Sequence, residues 1–248
     1  MAFEVYIALG DSMTIDDYPA SDAERLGLNC RKDIGAAALL YKNDPQLFPD
    51  LEGKDLASVH PKIKFANLAY DDATTEDMLS EEKMKALHQY STAHCLVTLT
   101  IGGNDMLKIF KAIPANNVKA LTSATQEVHT RYLQLLKLIK ATVPASTILL
   151  TTIYDPTDGT GILPTTTMGT GTLPVTFIEQ FNSFVESCAK RQRATLADVY
   201  SHFRGHGAEC GRKDNFWYCP LQPIEPSYRG ASEIRRVWFN TLQTEKFI

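Results

Sequence analysis

Five short apolar runs limit what this chain can fold into: residues 3–9, 62–68, 95–101, 147–153 and 194–199. They are rich in Val, Ile, Leu and Thr, and most are nearly continuous rather than alternating. Continuous apolar runs of this length are expected of strands buried on both faces of a parallel sheet. Parallel strands need crossover connections, and the intervening segments supply them. Residues 34–41, 75–88, 118–141, 177–191 and 232–242 carry helical periodicity. The longest places Val118, Leu121, Val128, Tyr132, Leu135, Leu136 and Ile139 on one stripe, and Pro144 stops it. Strands alternating with helices predict an α/β three-layer sandwich. Three segments, 44–60, 155–174 and 201–228, read as long loops. The second nearly repeats itself, Gly159-Thr-Gly-Ile-Leu-Pro then Gly169-Thr-Gly-Thr-Leu-Pro. Loops of this length are expected to be lids, binding loops or disordered segments. No linker divides the chain, so one domain spanning 1–248 is expected.

Composition narrows the function. With 248 residues and 44% hydrophobic residues, a sizeable core is available. The formal net charge is -4 and no basic patch stands out, which argues against nucleic acid as a partner. No apolar run approaches the roughly 20 residues of a membrane span. No secretory leader pattern opens the chain. Five scattered cysteines, Cys30, Cys95, Cys188, Cys210 and Cys219, suit reduced thiols and a cytoplasmic location, with a local Cys210–Cys219 disulfide as the alternative. No spacing suits zinc, and neither a metal nor a cofactor is expected. Oligomeric state is left open.

The chemistry gathers where strands end. The first run closes on Gly10-Asp11-Ser12, which presents a hydroxyl at the carboxyl edge of the sheet, where open α/β sheets hold ligands. After the second run comes Asn67-Leu68-Ala69-Tyr70-Asp71-Asp72, and after the third comes Gly102-Gly103-Asn104-Asp105. Gln222-Pro223-Ile224-Glu225-Pro226 precedes the last helix. Ser12 is the candidate nucleophile. Asp11 is expected to brace the turn, Asp105 to cap the helix that follows it, and Asp16 or Asp17 to cap a helix or bind a metal.

With Gly-Asp-Ser near the start and Gly-Gly-Asn-Asp after the third strand, the chain resembles the SGNH (GDSL-like) hydrolases over essentially its whole length. The resemblance implies a flavodoxin-like, five-stranded parallel sheet and ester or acyl hydrolysis through a serine. It implies an oxyanion hole built from the Ser12 amide, a glycine amide in the second block and the side chain of Asn104, with Gly10, Asp11, Asp72 and Gly103 lining the site. Two departures are large. The second-block glycine falls on Asp72. The final block, Asp-x-x-His-Pro in the family, reads Gln222-x-x-Glu225-Pro226, so the usual base and its orienting acid are both replaced. Glu225 is the first substitute base, although an ordinary glutamate is weak near neutral pH. His206, in a glycine-flanked loop after the last strand, is the second, with His202 nearby. Glu225 has a structural alternative, an ion pair with Arg212, Arg229, Arg235 or Arg236.

Three readings follow: an atypical serine hydrolase acting on an ester, acyl or acetyl group of a small molecule or saccharide; a non-hydrolytic binding protein or pseudoenzyme keeping the pocket; and acid/base chemistry by Glu225 without an acyl-enzyme.

Overall fold

The computed structural model describes residues 2–114, 116–162, 175–208 and 215–248. The five apolar runs form β1 (Val5–Gly10), β2 (Lys64–Asn67), β3 (Cys95–Thr100), β4 (Ser146–Thr151) and β5 (Thr195–Ala197). All pair in parallel, in the order β2-β1-β3-β4-β5. The flavodoxin-like sheet is therefore as the sequence implied. Every residue of β1 and β3 is buried. Tyr6 and Ala8 face one core with Leu96 and Leu149, while Val5, Ile7 and Leu9 face the other with Val97, Leu99 and Leu150. With apolar cover on both faces there is no polar side to show, which is why the runs do not alternate.

The first core is closed by α1 (Asp17–Arg25), α2 (Ala36–Tyr41) and α10 (Tyr228–Thr244), with α3 (Leu56–Val59) beneath the α2 edge. The second is closed by α4 (Thr75–Met78), α5 (Glu81–His88), α6 (Gly103–Ala112), α7 (Val118–Thr142) and α8 (Val175–Gln192). The stripe read on α7 is buried from Leu121 to Ile139, but Val118, its first residue, is exposed.

Three loop and helix boundaries differ from expectation. The helix expected over 75–88 is two helices, because the capping box of Thr74 with Asp77 starts α4 and the Ser80 hydroxyl caps α5 separately. Residues 44–60 hold α3 and a 3₁₀ turn. Residues 201–228 hold the end of α9 (Val199–Phe203) and an antiparallel hairpin of β6 (Tyr218–Cys219) and β7 (Gln222–Pro226). That hairpin is held by its ends. Ser227 donates both its N–H and its hydroxyl to Trp217 O at 2.9 Å, and its hydroxyl also caps α10 through Gly230 N. Gly230 allows no side chain: a Cβ there would lie 2.0 Å from Trp217 O.

Among the described residues, no helix is long and apolar enough to cross a membrane. Cys30, Cys95, Cys188 and Cys219 are free thiols, three of them buried. Cys210, Arg212 and most of the 155–174 loop, with its second Gly-Thr-Gly, lie outside the described residues, and Cys219, the other half of the alternative disulfide, is a free thiol.

Candidate active site

β1 and β3 are neighbours whose helices leave on opposite faces, and the crevice between their carboxyl ends is the switch point of this topology. Both lead into turns that only glycine can make. Gly10 has φ +143°, and a Cβ would lie 2.1 Å from Thr100 O on β3. Gly102 has φ +117°, and a Cβ would lie 2.2 Å from the Phe181 ring of α8. The backbone can therefore leave the sheet abruptly at both strand ends.

After Gly10 the chain makes a hydrogen-bonded turn. Thr14 N donates to Asp11 O (3.0 Å), and Met13 N donates to Asp11 Oδ1 (3.2 Å). Thr100 fastens this turn to β3, since its hydroxyl accepts from Asp11 N (3.2 Å) and bonds the Thr14 hydroxyl (2.7 Å). Asp11 braces the turn as the sequence suggested. Ser12 sits at the tip, 6% exposed, and among the described residues nothing accepts its N–H.

After Gly102, α6 begins at once. Gly103 and Asn104 line the same cavity as Asp11, Ser12 and Glu225. Gly103 lies beside Asp11, so that a Cβ there would be 3.9 Å from Asp11 Oδ2. Asn104 Nδ2 donates to Ala73 O at 3.1 Å, which leaves its second N–H for the cavity. Asp105 does not cap the helix that follows it. It lies in the first turn of α6, buried, and accepts from Thr75 N (2.8 Å) and Thr75 Oγ1 (2.6 Å) at the start of α4.

Glu225 reaches the cavity from β7. Its neighbour Ile224 is fixed by the Tyr154 hydroxyl, which donates to Ile224 O at 2.9 Å. Glu225 is 8% exposed, and its carboxyl lines the cavity beside the Ser12 hydroxyl, near enough for that hydroxyl to act on its titration. Among the described residues, its Oε2 is buried without a hydrogen-bond partner. Burial pushes its pKa up to about 8, more than the nearby Ser12 hydroxyl lowers it, and Asp11, Asp71 and Asp72 add negative charge nearby. Asp11 is pushed up to about 7, again chiefly by burial. Among the described residues no arginine pairs with Glu225. Arg235 Nη1 donates to Asn43 Oδ1, and Arg236 is spent on Asp50 and Glu233.

The histidine alternative is not brought to the cavity. His206 Nδ1 lies 2.8 Å from Asn215 O, and its ring stacks on Trp217 at 3.4 Å between centroids. His202 pairs with Glu233 on α10 at 2.8 Å. The glycine-flanked loop that suggested a swinging His206 is instead fixed by that stack and by Gly205 N and Gly207 N donating to Asp158. Asp72 lies outside the cavity lining. It is exposed with φ +58°, the left-handed conformation that explains why glycine suits this position, and its N–H bonds Asp71 Oδ1 at 3.0 Å. Asp16 does not cap α1 through its side chain; its carboxylate accepts from Gly35 N at 2.6 Å. Among the described residues no cluster of His, Cys, Asp or Glu is placed to hold a metal ion.

The rest of the cavity is apolar. Met13, Met106, Phe110, Ile153, Tyr154 and Ile178 form its walls. The cavity is partly open to solvent and offers about 60 Å³ of space, room for about four water-sized groups. The motifs did not reveal these walls. Ile178 carried only the generic signal of the helical periodicity over 177–191, and Phe110 lies in no segment whose periodicity was read. Thr100, the latch of the turn, reads in sequence as one more strand residue.

The GDSL-like lipase/acylhydrolase family profile matches residues 8–223. Solved structures share the fold at low identity. A phospholipase A1 from Streptomyces albidoflavus is 20% identical, with a TM-score of 0.61 over 98% of this chain and 99% of its own. A variant of an acetyl xylan esterase from Geobacillus stearothermophilus is 16% identical, with a TM-score of 0.61 over 97% and 95%. A lipase from a goat rumen metagenome is 17% identical, with a TM-score of 0.62 over 96% of each chain. Comparison with curated proteins yields no significant match. The match of the family profile to most of the chain, on a flavodoxin-like sheet with Gly-Asp-Ser at its switch point, shows that this protein belongs to the GDSL-like lipase/acylhydrolase family.

Proposed function

We propose that this protein is an ester hydrolase in which Ser12 attacks and Glu225 takes its proton. The observation that carries this reading is the placement of the buried Glu225 carboxyl beside the Ser12 hydroxyl at the polar end of an apolar cavity. Ser12 Oγ bonds to the ester carbonyl carbon as its proton passes to the Glu225 carboxylate. The Ser12 N–H and the free N–H of Asn104 Nδ2 receive the oxyanion. Glu225 then gives the proton to the departing alcohol. Water attacks the acyl-enzyme by the same route, releasing the acid and restoring Ser12. A glutamate that titrates at about 8 is a stronger base once ionised than an exposed one, but only about one molecule in ten carries it ionised at pH 7. The apolar walls favour a short hydrocarbon acyl group over a saccharide in the buried subsite. The free thiols support a cytoplasmic setting.

A second reading, a binding pocket without turnover, is favoured by one observation. The Asp72 N–H, which stands where the second-block glycine amide would, is held by Asp71 Oδ1. Hydrolysis of p-nitrophenyl butyrate separates the two. Turnover by the wild type that Ser12→Ala loses supports the hydrolase. No turnover by the wild type between pH 6 and 9.5, with retained binding of butyrate, supports the pocket alone.

A further inference from the structure

Asn104 acts in this reading through one N–H, so whatever fixes its carboxamide matters to the reaction. Its other N–H is anchored on Ala73 O (3.1 Å), two residues before Thr75. Thr75 is gripped by Asp105, the residue next to Asn104, through its N–H (2.8 Å) and its hydroxyl (2.6 Å). Residues 73, 75, 105 and 104 thus form a closed ring joining the start of α4 to the start of α6. Arg131 of α7 locks the ring from outside. Its Nε donates to Thr75 Oγ1 (2.9 Å), and its Nη2 pairs with Asp105 Oδ1 (3.3 Å). Asp105 is 2% exposed in its side chain, and these bonds are what make its buried carboxylate tolerable. The Thr75 hydroxyl is the hub, since it donates to Asp105 and accepts from Arg131. If it is lost, the segment carrying Ala73 O is freed to shift and the Asn104 carboxamide is freed to turn.

We propose that Thr75, Asp105 and Arg131 are positioning residues that aim the Asn104 carboxamide at the oxyanion formed on Ser12. This rests on the serine-hydrolase reading above. The test is steady-state hydrolysis of p-nitrophenyl butyrate by Thr75→Val, Thr75→Ser and Arg131→Gln, alone and combined with Asn104→Ala. Arg131 is 31% exposed in its side chain, so Arg131→Gln is the variant that folds if Thr75→Val does not. Expected are an approximately tenfold loss of kcat in Thr75→Val and a smaller one in Arg131→Gln, with KM unchanged. Thr75→Ser, which keeps the hydroxyl, should restore kcat. Asn104→Ala alone should lose about 10²–10³-fold, and adding Thr75→Val to it should change kcat less than twofold, because the two substitutions remove the same interaction. Full activity in both Thr75→Val and Arg131→Gln, a loss confined to KM, or losses that multiply in the double variant would overturn the positioning role. Full activity in Asn104→Ala would overturn it as well, while leaving Ser12 in place. Full activity in Ser12→Ala would instead remove the reading underneath.

Discussion

Replacing Glu225 by glutamine keeps the side chain's shape and removes its ionisation. Folded Glu225 titrates at about 8, where an exposed glutamate titrates near 4.5. At about 1.4 kcal/mol per pH unit, ionising it in the folded protein costs roughly 5 kcal/mol more than in the unfolded chain. The folded state holds a proton that the unfolded state releases. Its contribution to stability is therefore complete below about pH 4.5 and is lost as pH rises to about 8. Asp11, pushed up to about 7, acts in the same direction in both proteins. Glutamine does not titrate. Urea unfolding at pH 5 and pH 9 should show Glu225→Gln close to wild type at the lower pH and more stable than wild type, by up to roughly 5 kcal/mol, at the higher one. Turnover of p-nitrophenyl butyrate should behave oppositely. In the wild type, kcat/KM should rise with pH to a plateau above about 8, and Glu225→Gln should lose about 10²–10⁴-fold at the plateau. A wild type and variant whose stabilities run parallel from pH 5 to 9 would refute the buried, neutral glutamate. Retained turnover in the variant would refute its role as base.

Other outcomes follow from the same geometry. Gly10→Ala places a Cβ 2.1 Å from Thr100 O at φ +143°; it should cost roughly 3 kcal/mol, lowering Tm by about 10 °C in a thermal melt. For linear p-nitrophenyl esters, kcat/KM should rise about fourfold per methylene from acetate and level off or fall near four or five carbons, when the 60 Å³ cavity is full. A preference for palmitate in the same series would contradict a short acyl site in this cavity. His206→Ala should leave kcat/KM within about twofold of wild type, because its ring is spent on Trp217 and Asn215.

Much of this site was legible as strand-end chemistry. Ser12 and Asn104 each follow a continuous apolar run, and parallel topology carries both to one crevice. Glu225 was legible as a position, because Pro226 keeps its place in the final block, but its state was not. That state depends on burial, in which Tyr154, holding Ile224 O from 70 residues away, takes part. Residue type alone misjudged His206 and Asp105 for the same reason. A histidine in a glycine-flanked loop looks mobile until a tryptophan eleven residues on stacks against it. An aspartate after a glycine pair looks like a cap until α4 and α7 close on it.

The most direct test of an activated Ser12 is the intact mass of the protein after exposure to a fluorophosphonate at pH 9. The account predicts one covalent phosphonyl adduct on the wild type, mapped by peptide mass to Ser12, none on Ser12→Ala, and labelling at least about a hundredfold slower on Glu225→Gln. An unmodified wild type, or equal labelling rates in the wild type and Glu225→Gln, would contradict it.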